Sequence, residues 1–565
     1  MPIAYKKLLA KVDGVVQKFE SDSKGKNIGY NIIRTLKLAF PYVKKVEKYH
    51  STYNFSPEVP GNGHRSFLII FQKLLNSLST EIDTITNKRF RLFGSIEDDF
   101  VTAMLPWANV LTFYYGGIMT IVKIHEKGSP GELFIDDKDL VLVKYLAKQQ
   151  CKDIYGKCLG FIYNQELRTM LEGAAAFAAT KWKQYRDKSS SSNLGELMDI
   201  NKYRTNHEER AELIEDMENN VKPEFLKWLS EQPRNKLLEN ITKTFISFSG
   251  DSETPKTVEE IKIATKSFQL KTGNKTFTVS TPEGHNGDET LAVRFVSMNE
   301  NESSDLIISL APLQFAKLND SMKEQADKAS DEVLAKWSKI TNASVVSVIF
   351  SSVDLSGDDI EKIEKNVVRK STYLKRIDEI FFIYCWILQN FSRLKTTAKR
   401  IIIYGVSFGA AMTMALVMKL SSKQLPLPDG LFFTSAVLNE NPVSASHLIS
   451  FFDPIFPVKP LIPYWEKYNL KDIVSDVMIS PYRMEDDIVK ILPPVHFTVG
   501  SLDFALDDNV GFARRMNKLG KSVNLTVYDG MGHGFILAAK FWAAARKAAV
   551  STDHKLRDFL NSIKK

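Results

Sequence analysis

Residues 400–409 read Arg-Ile-Ile-Ile-Tyr-Gly-Val-Ser-Phe-Gly. An apolar β-type run, Ile401 to Tyr404, enters Gly405-Val406-Ser407-Phe408-Gly409 directly, and a helical segment follows from Ala410 to Leu420. A G-x-S-x-G pattern in that strand–turn–helix context reads as a nucleophile elbow. The turn is so tight that the residues two positions either side of the serine must be small, which is where the glycines stand. The serine hydroxyl is thereby pushed out at the carboxyl end of a sheet.

The surrounding pattern agrees. Helices predicted over Ser321–Ile340 and Thr372–Phe391 precede strands over Ser344–Ser351 and up to Ser407. Beyond the elbow come strands at Gly430–Ala436 and Val495–Gly500, a helix at Asn509–Leu519 and a strand at Val523–Tyr528. Strands alternating with helices predict a doubly wound, mostly parallel α/β sheet. Short β-type runs at Thr276–Thr281, Thr290–Met298 and Asp305–Leu310 lead into it. The first half is different in kind: Gly29–Val46, His64–Ile82, Leu140–Gln150, Glu166–Tyr185 and the stretch from Glu208 carry apolar residues at helical spacing. The boundary falls between Phe248 and Leu291, giving a largely helical region over 1–265 and an α/β region over 266–565.

A serine hydroxyl is a weak nucleophile unless a base takes its proton and a carboxylate orients that base. The chain supplies both in the order Ser, acid, His. Val495–Gly500 is a β-run followed by Asp503, and Val523–Tyr528 is a β-run followed by Gly532-His533-Gly534. His533 is the one histidine in such a loop, whereas His496 lies within an apolar strand and reads as a core or hydrogen-bonded residue. Asp507 and Asp508 compete with Asp503 but read as caps of the helix starting near Asn509. No P-loop, dinucleotide fingerprint or zinc-ligand spacing is present, so no cofactor and no metal are expected.

Composition excludes several other classes. With 565 residues, 44% hydrophobic and 25% charged, the chain is long enough for two soluble domains. The net charge of +8 is spread out, with no basic block interleaved with aromatics, so no nucleic-acid partner is expected. Three cysteines and an amino terminus without an apolar signal core predict an intracellular protein. The uncharged run Phe100–Val122 is long enough to span a bilayer, but Pro106, Asn109, Gly116-Gly117 and its threonines point instead to a buried helix pair broken near the glycines.

Beyond these readings, the chain resembles the hormone-sensitive lipase family over nearly its whole length. In the second half the resemblance is carried by Ser501-Leu-Asp-Phe-Ala-Leu-Asp-Asp508, Met531-Gly-His-Gly-Phe535, Phe381–Trp386 and Ile491–Val495. In the first half it is carried by Pro57-Glu-Val-Pro-Gly-Asn-Gly-His-Arg-Ser66 and Tyr155-Gly-Lys-Cys-Leu-Gly-Phe161. The resemblance implies an α/β-hydrolase sheet preceded by a helical lipase domain that docks on lipid or a partner. It also implies a cytosolic neutral lipase or esterase for acylglycerols, cholesteryl esters or similar acyl esters, working peripherally at a lipid-droplet or membrane surface. Only the resemblance suggests a homodimer.

Three departures from the family pattern stand out. Where the family has His-Gly-Gly-Gly, this chain has Ala311-Pro312-Leu313-Gln314. Pro312 has no N–H, and the resemblance then puts the oxyanion donors on Leu313, Gln314 and Phe408. The elbow carries Val406 and Phe408 where the family usually has Asp and Ala. The short interval from Ser407 to Asp503 leaves no room for the phosphorylated regulatory insert of vertebrate relatives. Two functions follow as expectations: an active serine esterase, or a lipase-like protein with weakened turnover and a lipid-binding or regulatory role.

Overall fold

In the computed structural model the residues described are 2–87, 95–128, 133, 141–149, 152–189, 192–220, 225, 228, 254–310, 320–349, 367–439, 444–456, 476–540 and 542–563. The chain divides into two compact units. One comprises Met1–Asn235, Pro442–Lys467 and Ser501–Asp507, the other Lys236–Asn441, Tyr468–Gly500 and Asp508–Lys565.

The first unit is helical: α1 (Pro2–Val16), α2 (Lys24–Tyr49), α3 (Gly63–Asn87), α4 (Ile96–Lys127), α5 (Val141–Ala147), α6 (Gln165–Arg186), α7 (Asn193–Thr205) and α8 (His207–Asn220). Its centre is α4, packed against α2, α3 and α5. Ser95 and Asp98 start α4 with a reciprocal capping box. Phe100, Met104, Trp107, Leu111 and Ile118 are fully buried, alongside Ile32, Leu36 and Val43 of α2 and Phe67, Ile70 and Leu74 of α3.

The uncharged run Phe100–Val122 is therefore one continuous helix, not a pair broken at the glycines. A Cβ at Gly116 would lie 2.6 Å from the Tyr145 hydroxyl, and one at Gly117 would lie 2.7 Å from a Leu448 methyl. Those glycines serve close approach, and tertiary packing overrides their low helix propensity. Among the described residues no helix is long and apolar enough to cross a membrane.

Both amino-terminal motifs have structural work in this unit. Asn62 starts α3 by accepting from the Arg65 N–H at 2.9 Å, while its amide donates to the His50 carbonyl and the Asn54 side chain. Arg210, wholly buried on α8, donates to the Tyr155, Gly156 and Tyr203 carbonyls and so holds the 155–161 turns.

The second unit is an eight-stranded sheet with a separate β2–β3 hairpin, and its strand order is β1-β4-β6-β5-β7-β8-β9-β10. The strands are β1 (Thr257–Ala264), β2 (Phe268–Thr272), β3 (Lys275–Val279), β4 (Thr290–Ser297), β5 (Ser303–Leu310), β6 (Ser344–Ile349), β7 (Thr396–Val406), β8 (Gly430–Thr434), β9 (Val495–Gly500) and β10 (Val523–Tyr528). β1–β4 and β4–β6 pair antiparallel, and every later pairing is parallel. The mostly parallel sheet expected from the alternation is thus present, following a helical region along the chain.

Helices α9 (Asp320–Thr341), α10 (Val367–Ile387) and α11 (Phe408–Ser422) connect the central strands. Ile401–Val406 of β7 is buried throughout, as a strand covered on both faces must be. Val296, Ile307, Trp337, Tyr404, Phe432 and Phe559 form a core on one side of the sheet. Arg400 of β7 and Asp305 of β5 form a two-bond ion pair, at 2.7 and 2.8 Å, across registered neighbours.

Candidate active site

The elbow forms as its glycines require. β7 ends at Val406, and α11 begins at Phe408. Ser407 between them has φ 53° and ψ −122°, a conformation that L-residues rarely hold without support. Support comes from three backbone bonds. The Ser407 N–H donates to Thr434, and its carbonyl accepts from Val437 and Ala410. A Cβ at Gly405 would fall 2.9 Å from the Ala410 Cα, and one at Gly409 would fall 1.9 Å from the Leu310 carbonyl oxygen.

The Ser407 Oγ is hydrogen-bonded to the His533 Nε2 at 2.9 Å. His533 is buried on the loop after β10, between Gly530 and Gly534, both of which have positive φ. Gly500, the last residue of β9, fixes how closely this loop lies, because a Cβ there would sit 2.1 Å from the Met531 carbonyl oxygen. In the sequence Gly500 stands out only as a strand end. Its signal is a glycine closing a largely apolar strand, where a close backbone approach is a recurrent cause.

Asp503 is fully buried three residues beyond β9, and its Oδ1 accepts from the Ala505 N–H at 2.8 Å. It belongs to the Ser501–Asp507 segment, which packs with the helical unit.

Its two rivals are not caps. The helix near Asn509 begins earlier, at Leu506 (Leu506–Lys518), so Asp507 and Asp508 lie inside its first turn. The Asp507 carboxylate accepts from the Gly63 and Ser446 N–H groups. That of Asp508 accepts from Leu438 and Asn439. Long-range backbone donors, which local spacing does not reveal, take both side chains.

His496 stacks on Phe432 at 4.9 Å and contacts the Thr526 hydroxyl, matching its reading as a core histidine. Burial, with Lys555 adding to it, pushes its imidazole down to about 4. Of the oxyanion candidates, Phe408 opens α11, where first-turn N–H groups have no partner within the helix. Leu313 and Gln314, with Ala311 and Pro312, lie outside the described residues, immediately after Leu310 of β5. Among the described residues no three His, Cys, Asp or Glu side chains gather as a metal site.

Comparison with known proteins places this geometry in a family. Residues 6–305 match the model of the hormone-sensitive lipase amino terminus, and residues 370–537 match that of the alpha/beta hydrolase fold. Hormone-sensitive lipase of Ictidomys tridecemlineatus is 21% identical over 72% of this chain and 55% of its own length. An esterase of Acinetobacter venetianus is 29% identical over 31% of this chain and 56% of its own. The chain thus spans about half the length of these curated relatives. Among solved structures, a hyperthermophilic esterase from Pyrobaculum calidifontis aligns with TM-score 0.44 and 14% identity, over 57% of this chain and 92% of its own. With the amino-terminal model spanning more than half of it and the hydrolase model enclosing both the elbow and the histidine loop, the chain belongs to the hormone-sensitive lipase family of esterase- and lipase-like α/β hydrolases.

Proposed function

We propose that this protein hydrolyses acyl esters, such as acylglycerols or cholesteryl esters, through Ser407, His533 and Asp503. The observation that carries the reading is the 2.9 Å Ser407–His533 hydrogen bond at a strained strand-to-helix turn. Ser407 Oγ attacks the ester carbonyl carbon as His533 Nε2 takes its proton. The tetrahedral intermediate collapses as His533 returns that proton to the departing alcohol oxygen, leaving an acyl-serine. Water then attacks the acyl carbon, giving its proton to His533. Collapse returns the proton to Ser407 and releases the carboxylic acid. Asp503 takes the part of the carboxylate that fixes the His533 tautomer and stabilises the imidazolium. The Phe408 N–H serves the oxyanion, together with Leu313 and Gln314.

The substrate class, a cytosolic setting, work at a lipid-droplet surface and homodimerisation belong to the same proposal, supported by the family membership. A second reading, a lipase-like protein with weakened turnover and a lipid-binding or regulatory role, is favoured by one observation. Ala311-Pro312-Leu313-Gln314 replaces a glycine-rich donor segment, and loss of one oxyanion donor costs about 2.7–4 kcal/mol.

The deciding experiment combines fluorophosphonate labelling with hydrolysis of a short-chain nitrophenyl ester, with Ser407→Ala as control. Labelling at Ser407 and Ser407-dependent turnover support the enzyme. Absence of both leaves the binding role.

A further inference from the structure

The segment carrying Asp503 is held from outside itself. The Gly63 N–H, opening α3, donates to Asp507 Oδ1 at 2.8 Å, and the Ser446 N–H donates to Oδ2 at 2.9 Å. The Ser446 hydroxyl donates to the Phe504 carbonyl at 2.6 Å, and the Ser450 hydroxyl donates to the Leu502 carbonyl at 2.9 Å. Ser446 lies on the short helix α12 (Ala445–Ile449), which packs on α3. The residues flanking Asp503 on both sides are therefore bonded to the helical unit.

A second tie runs close by. The Tyr163 hydroxyl, at the end of the turns that Arg210 holds, donates to Asp453 in a buried contact. The other Asp453 oxygen accepts from the Ile455 and Phe456 N–H groups at 2.7 and 3.1 Å. Tyr163, Asp453 and His447 all lie close enough to Asp503 to feel its charge. The two amino-terminal family motifs, 57–66 and 155–161, thus lead directly to the two residues, Gly63 and Tyr163, that reach this cluster.

Gly63 admits no substitute without displacing the acid segment. A Cβ there would lie 2.4 Å from Asp507 Oδ2 and 2.4 Å from the Ser446 nitrogen. Burial pushes the Asp507 carboxyl up, and the Gly63 and Ser446 N–H groups oppose that shift, so the bonds favour the carboxylate.

We propose that the amino-terminal helical unit orients the catalytic acid, with Gly63, Ser446 and Tyr163 as positioning residues that fix the loop presenting Asp503. This rests on the reading of Asp503 as the acid of the triad. A buried loop must find partners for its polar backbone groups, and here the helical unit supplies them. A carboxylate on a loop without that frame would lose the orientation that the imidazole requires. On this view the unit contributes to turnover of soluble esters as well as to any docking at lipid.

The test uses the full-length protein with Gly63→Ala, Tyr163→Phe, Asp503→Asn and the doubles with Asp503→Asn. Gly63→Ala should lower kcat on a soluble nitrophenyl ester by ~10²-fold, the scale of a 1 Å misplacement. KM should stay within about twofold, as expected when ground-state binding is untouched. Hydrogen exchange at 501–507 should rise in the same variant. In the Asp503→Asn background neither change should lower kcat further, because a residue that acts through Asp503 has nothing left to position. Should Gly63→Ala fail to fold, the near-isosteric Tyr163→Phe carries the same comparison.

Wild-type kcat and exchange in both variants would overturn the proposal, as would losses that multiply with Asp503→Asn. Full activity of Asp503→Asn itself would instead remove the triad reading. The proposal would then fall with its premise, whatever the exchange data show.

Discussion

Gly409 and Leu310 meet so closely that a Cβ at position 409 would lie 1.9 Å from the Leu310 carbonyl oxygen. The contact joins the first turn of α11 to the end of β5 and sets where the elbow stands in the sheet. Gly409→Ala must push that helix start away from the strand. The expected result is a loss of stability of about 1–3 kcal/mol and a fall in kcat of ~10²-fold in the folded protein. Urea unfolding and steady-state ester hydrolysis check the two parts separately.

The Ser407–His533 bond makes those residues one functional unit. Removing either should cost most of what removing both costs, roughly 10⁴–10⁶ in kcat, as for groups that act together. Ser407→Ala, His533→Ala and the double variant should therefore show nearly equal residual rates. Single losses that multiply in the double variant would mean that the two residues act independently.

His496 predicts a pH dependence of stability. Its imidazole titrates near 6.5 when unfolded and is pushed down to about 4 by burial in the native state. Between those values the unfolded chain binds more protons, so stability rises with pH. This contribution is complete above about 6.5 and disappears as pH falls toward 4. His496→Phe, placed beside Phe432 and Phe559, should flatten that part of the stability curve. Denaturant unfolding at a series of pH values measures it, and an unchanged slope between pH 6.5 and 4 would discount His496 as its source.

Arg400 gives a prediction about the sheet itself. Its guanidinium meets the buried Asp305 carboxylate through two bonds and also donates to the Leu560 carbonyl. Arg400→Met removes the cation and leaves the carboxylate buried, which should cost about 3–5 kcal/mol. Arg400→Lys should recover only part, since an ammonium cannot reproduce the planar two-bond fit. Thermal unfolding of both variants distinguishes these outcomes.

Local order carried much of the fold and of the candidate site into the sequence. The apolar β7 run flanked by elbow glycines, the alternation of strands and helices, and the Gly-His-Gly loop after a late strand are short-range patterns. Each pattern is read within a few residues of sequence, so Ser407 and His533 are legible from the sequence alone. The hormone-sensitive lipase likeness is legible too, from motifs that include Gly63, where a Cβ would lie 2.4 Å from the Asp507 carboxylate.

Other features depended on chain segments far apart in sequence. Gly116-Gly117 reads as a break until Tyr145 and Leu448 are seen against it, and packing then keeps α4 continuous. Asp507 and Asp508 read as helix caps until distant backbone N–H groups are found on their carboxylates. The association of Ser501–Asp507 with the helical unit arises the same way, through bonds from Gly63 and Ser446. The sequence alone determined which groups are available for acyl transfer and the order in which they come, since those follow from residue type and local pattern. Only the tertiary structure decided which backbone donors meet which buried carboxylates, because long-range partners are chosen by packing that no local spacing encodes.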